Sequence, residues 1–108
     1  MRKTPIYELS GSVNSWMAEH AAVIYDEVLA SIEEEMCVGQ NFTRVPVMIL
    51  QSDSGTTLFM LKSYESTYDS LDKAMNWFAS QEEYEKAARA RDAKTFIQEK
   101  EAEESQNF

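Results

Sequence analysis

The stretch TRVPVMILQSDSGTTLFMLKS, Thr43 to Ser63, sets the architecture. Two runs rich in branched and aromatic residues flank Ser52-Asp53-Ser54-Gly55, the composition of a β-hairpin. A three-residue loop of Asp53, Ser54 and Gly55 would combine a type I turn with glycine in the left-handed region. That register sets Leu50 opposite Leu58 and Met48 opposite Met60 on one face, with Ile49 against Phe59 and Val47 against Leu61 on the other. Both faces are then apolar, unlike a sheet with one side in water, so each needs a cover.

Upstream, Val13, Met17, Ala21, Ile24, Val28, Ile32 and Met36 recur every three or four residues, the stripe of an amphipathic helix. Ser12 or Ser15 caps its start and Gly39 stops it. Such a helix, about 24 residues long, extends about 36 Å. Before it, TPIYEL (Thr4 to Leu9) fits an edge strand, where a leading proline is tolerated.

Downstream, Tyr64, Tyr68, Leu71, Met75 and Phe78 alternate spacings of four and three, the seam of a second helix. Ser66 and Asp69 resemble a capping box at its start, with Tyr64 as a staple. Ser80 and Glu83 form another such box, which predicts a third helix from Gln81. Its apolar face, Tyr84, Ala87, Ala88, Arg91 and Ile97, is thin, and the pairs Glu82–Lys86 and Glu85–Arg89 add little. The acidic end, residues 99–108, reads as a frayed tail. The expectation is one α+β domain over residues 1–98, ordered β-α-β-β-α-α. Its small antiparallel sheet, the hairpin plus the N-terminal edge strand, packs with three helices.

The chain of 108 residues carries 10 Lys and Arg against 19 Asp and Glu, a net charge of −9. That charge repels phosphate backbones and anionic membrane surfaces, which argues against direct nucleic-acid or membrane binding. Acid is concentrated at both ends: residues 1–38 hold two bases and seven acids, and residues 64–108 six bases and eleven acids. Residues 39–63 hold two bases and one acid. The single cysteine, Cys37, allows no internal disulfide, and no apolar run reaches the length of a membrane span or a signal peptide core. A cytoplasmic location follows as the expectation.

Chemistry has few places to reside. His20 is the sole histidine, and a metal site on its helix would want a carboxylate where Val23 and Ile24 stand. Cys37 falls near a helix C-terminus, whose negative end works against a thiolate nucleophile. Gly11, Gly39 and Gly55 are too dispersed for a phosphate-binding loop. The reading is therefore non-enzymatic, with no catalytic residue, metal or cofactor expected.

Two surfaces remain. Glu19, Asp26, Glu27, Glu33, Glu34 and Glu35 line the polar side of the long helix, a row of carboxylates suited to a basic protein partner. The leading expectation is an acidic inhibitor or adaptor, of the kind phages and mobile elements encode, that docks by charge mimicry on a nucleic-acid-handling protein. The alternative is a homodimer or other homo-oligomer joined through Met48, Leu50, Leu58 and Met60 of the hairpin. A third reading is a small ligand-binding protein or enzyme with a pocket between hairpin and helices.

Overall fold

The computed structural model describes residues 2–106. Strand β1 (Ile6–Glu8) is followed by helices α1 (Val13–Glu19) and α2 (Ala21–Glu34), then strands β2 (Val45–Ser52) and β3 (Gly55–Leu61). Helices α3 (Tyr64–Ser80) and α4 (Tyr84–Gln106) complete the chain. The class is α+β, with four α-helices among the described residues where three were expected and a mixed sheet of strand order β1-β2-β3. β1 pairs parallel to β2, Ile6 against Ile49 and Tyr7 against Leu50, which corrects the antiparallel expectation. A strand joined to the next by a helical crossover, not a tight turn, can return in the same direction.

The long helix is broken at His20. Its backbone leaves helical geometry (φ −118°, ψ 32°), and the Trp16 carbonyl, which accepts the His20 main-chain N–H at 3.0 Å, also lies 2.8 Å from His20 Nδ1. A side chain that shares an i−4 carbonyl bends the helix there. The imidazole stacks flat on the Trp16 ring, 4.2 Å between centroids. At the far end α2 widens into a π-helical turn, Glu35–Gly39, and the left-handed cap is Gln40 (φ 53°), not Gly39. Gly39 serves otherwise: a Cβ there would collide with the Glu35 carboxylate, which folds back to accept the Asn41 N–H at 3.2 Å.

The hairpin closes more tightly than the sequence suggests. Ser52 pairs with Gly55, so the loop is the two residues Asp53 and Ser54, and Gly55 enters β3 at positive φ. The register moves by one residue: Met48 lies against Phe59, Ile49 against Leu58 and Leu50 against Thr57. A one-residue slip exchanges the faces of every side chain on one strand relative to the other. A bulge between Pro46 and Met48 then shifts the register by one more residue in the same sense, Pro46 to Met60 and Val45 to Leu61. It also lets the consecutive residues Val47 and Met48 both turn inward, where both are buried. The bulge is where Pro46 can stand in a middle strand, since β1 reaches only to Ile49.

α3 starts earlier than expected, capped by Ser63, whose hydroxyl accepts the Ser66 N–H while Ser66 Oγ accepts the Ser63 N–H. The expected Ser80–Glu83 box does not form. Instead Glu83 N–H donates to Phe78 O and Glu82 N–H to Ala79 O, with Glu82 left-handed at φ 60°, the pattern that ends a helix and turns the chain. α4 then packs on α3 with Ala90, Ala93 and Ile97, all buried. Tyr84 and Arg91, assigned to that face from the sequence, are exposed. Small alanines allow α4 to approach the α3 row of Thr67, Leu71, Ala74 and Phe78 closely. The expected frayed tail is helical through Gln106, tied back by Tyr64 Oη donating to Glu104 (2.6 Å) and Tyr68 Oη to Glu101 (2.9 Å). Residues 107 and 108 of that tail lie outside the described residues.

Candidate interaction surface

All helices sit on one side of the sheet. Met48 and Leu50 point toward them and are buried, joined by Tyr7, Phe59 and Leu61 at the core's margin. The opposite set, Ile6 of β1, Pro46 and Ile49 of β2, and Leu58 and Met60 of β3, is absent from that core. Ile6, Ile49 and Leu58 are mutual partners across three strands, so they form a single apolar row over the outer face. Ile6 is 61% exposed and Leu58 48%. The four hairpin residues expected to share a contact face are thus divided, Met48 and Leu50 inward, Leu58 and Met60 outward. Ile6 and Ile49 take the vacated places. The signal that could have found them was the length of the helical segment between β1 and β2, which permits parallel pairing, combined with a two-residue turn.

The acidic row is also rearranged. Asp26 accepts from Lys86 Nζ at 2.9 Å, Glu27 from Arg2 Nη2 at 2.6 Å, and Glu33 from both Arg89 Nε and Nη2. Glu34 accepts the Arg2 main-chain N–H at 3.0 Å, and Glu35 folds onto the Asn41 amide. These five carboxylates, read from the sequence as a free row for a basic partner, engage the chain's own donors and are half-buried. Only Glu19, on α1, stands exposed without such a contact. For Asp26 and Glu33 the physical reason is α4, whose Lys86 and Arg89 project toward α2 once the helices pack; for Glu27 and Glu34 it is Arg2, which comes from the N-terminal segment. In sequence Lys86 and Arg89 are 60 and 56 residues from their acids, too far for any local pattern to reveal.

The bonds to Asp26 and Glu33 raise the Lys86 and Arg89 pKa values above their ordinary positions. Three tyrosines also shift upward. Burial, then the bond to Glu104, pushes Tyr64 up to about 12. Burial and Glu101 act alike on Tyr68, and burial with the nearby Glu27 raises Tyr7.

An apolar cavity of about 150 Å³ lies under the sheet between Met17, Ile24 and Val28 of the helices and Met48 and Phe59 of the strands. No titratable side chain lines it, and His20 is occupied elsewhere against Trp16. Among the described residues no group of three or more His, Cys, Asp or Glu is placed to hold a metal ion, and no helix is long and apolar enough to cross a membrane. No protein family matches the chain, and neither the curated proteins nor the solved structures give a match.

Proposed function

We propose that this domain is a protein-binding module whose contact surface is the outer face of its sheet. The observation that carries the reading is the row Ile6–Ile49–Leu58, in register across all three strands with no helix over it. Burying an aliphatic side chain of this size contributes roughly 1.5–3 kcal/mol, so three in a row make an adequate centre for an interface. The charge-mimic reading draws less support, since five of its six carboxylates already engage donors within the chain. The net charge of −9 still favours a basic partner and speeds its approach.

The test compares capture of a cellular partner by the wild-type chain, by Ile6→Glu, and by the triple reversal Glu33→Lys, Glu34→Lys, Glu35→Lys. Ile6→Glu touches no core residue, and its stability should stay within about 0.5 kcal/mol of wild type. Loss of capture in Ile6→Glu with retention in a folded triple reversal supports the face. Retention in Ile6→Glu with loss in the triple reversal returns the function to the acidic helix.

A further inference from the structure

We propose that two copies of the chain form a two-fold symmetric dimer by pairing β3 antiparallel with β3 of the second copy, which joins two three-stranded sheets into one of six strands. β3 is an edge strand of seven residues, and among the described residues no strand pairs with its outer side. Alternate residues there direct their main-chain N–H and C=O outward, a template for another strand. Edges are ordinarily protected by charge, proline or a bulge; Gly55–Leu61, GTTLFML, has no charge or proline, and its bulge lies in the neighbouring β2. The bare edge therefore asks for an occupant.

Charge selects a second copy in antiparallel sense. At one end of the hairpin stand Arg44 and Lys62, adjacent because Val45 pairs with Leu61. At the other end, the turn, stands Asp53. All three are exposed, and among the described residues none is held in an ion pair within the chain. Antiparallel pairing sets each acidic tip beside the other copy's basic end, whereas parallel pairing would set like charge against like. Residues 39–63 are also the one part of the chain that is not acidic, so two copies of net charge −9 can approach there with least repulsion.

Geometry then fixes the register. Leu58 is the midpoint of Gly55–Leu61, and a two-fold axis through it pairs all seven residues without overhang. The same axis makes one apolar row across six strands, in which Ile6, Ile49 and Leu58 of one copy continue into Leu58, Ile49 and Ile6 of the other. The edge pairing stands whether or not the outer face captures a further protein, and if it does, the dimer offers that face at double width.

Sedimentation equilibrium of the full chain into the hundred-micromolar range should find a reversible dimer. Under mild oxidation, Leu58→Cys in a Cys37→Ser background should become a covalent dimer, while Tyr84→Cys in that background should not. Lys62→Glu should raise the dissociation constant several-fold, and adding Asp53→Lys should recover it. A chain that stays monomeric throughout overturns the proposal. So does a dimer that fails to cross-link at position 58 or ignores the charge swap, or one that Ile6→Glu dissociates, since that dimer is joined face to face. Monomeric behaviour with partner capture still sensitive to Ile6→Glu would sink the edge pairing and leave the face reading intact.

Discussion

The guanidinium of Arg2 donates to the main-chain carbonyl of Val47 at 2.8 Å, at the bulge in β2. β1 covers β2 only from Ile49 to Gln51, so below that point the carbonyl edge of the middle strand has no strand beside it. Arg2 stands in for one. It also reaches Pro46 O at 3.4 Å and pairs with Glu27 at 2.6 Å, and so connects the irregular part of the sheet to α2. An arginine suits the position because its fixed fork of donors can serve two carbonyls and a carboxylate together.

Arg2→Ala removes those bonds and leaves Glu27 half-buried without its cation. The expected loss is about 1–3 kcal/mol, a fall in melting temperature of roughly 4–15 °C. Arg2→Lys should recover only part of it, because one ammonium cannot span the three acceptors. Urea denaturation of the three chains measures the difference.

The division of the hairpin faces has a direct consequence. Met48 is 2% exposed, and an ammonium placed there has no partner, so Met48→Lys should cost roughly 3–5 kcal/mol and leave little folded protein. Leu58→Lys, on the outer row, should stay within about 1 kcal/mol of wild type. Circular dichroism melts at low concentration, where association does not contribute, test the pair. Equal damage from both would show that the row is covered within the chain.

Glu82 occupies the left-handed position between α3 and α4, with φ 60°. Its main-chain bond to Ala79 and that of Glu83 to Phe78 do not involve the side chain. Glycine meets the same geometry without a Cβ, so Glu82→Gly should stabilise the domain by about 0.5–1 kcal/mol despite the greater freedom it gives the unfolded chain. Thermal unfolding should shift upward by a few degrees. A downward shift would mean that the Glu82 side chain has a role its exposure does not suggest.

Tyr64 and Tyr68 hold the end of α4 with hydroxyls that must stay protonated to donate. Each pKa is raised above the ordinary value near 10, that of Tyr64 to about 12. Between the two values the unfolded chain releases the proton and the folded chain keeps it, so stability falls as pH rises. The contribution is intact below about pH 10 and is lost as the pH passes through the folded-state values. The variant Tyr64→Phe, Tyr68→Phe should lose stability at pH 8 and show a flatter decline between pH 9 and 11. Absorbance titration should find these phenols, with Tyr7, ionising above the ordinary tyrosine value near 10.

Legibility in the sequence followed the range of the forces involved. The hairpin, the heptad-like seams and the α+β class rest on periodicity and turn residues, which act over a few positions. The direction of β1 rests on a crossover, and the choice between a two- and a three-residue loop goes with which strand residues the helices bury, Val47, Met48 and Leu50 here. That choice decides which of Leu50 and Ile49 opposes Leu58, and with it which residues form the outer row. The carboxylates were visible as a row, but their state depends on donors from elsewhere in the chain: Lys86 and Arg89 of the packed α4 for Asp26 and Glu33, and Arg2 for Glu27 and Glu34. Local pattern locates charge along a helix and says nothing about a cation arriving from another element.

The Glu33–Arg89 contact is where that lesson can be measured. Arg89 approaches with Nε and Nη2 on the two carboxylate oxygens, a bidentate arrangement that is stronger than a single surface contact. With the Glu33 side chain 32% and that of Arg89 50% exposed, solvent screening holds the coupling to about 0.5–1 kcal/mol. Glu33→Arg should therefore destabilise the domain before any partner is considered, since it sets two guanidinium groups together beside Lys86. Adding Arg89→Glu should restore most of the loss. A double-mutant cycle by denaturation, run at low and high salt, isolates the coupling, which should shrink as salt screens it. If Glu33→Arg left stability untouched while abolishing capture of a basic partner, Glu33 would be free for docking, and the acidic helix would regain its claim as the binding surface.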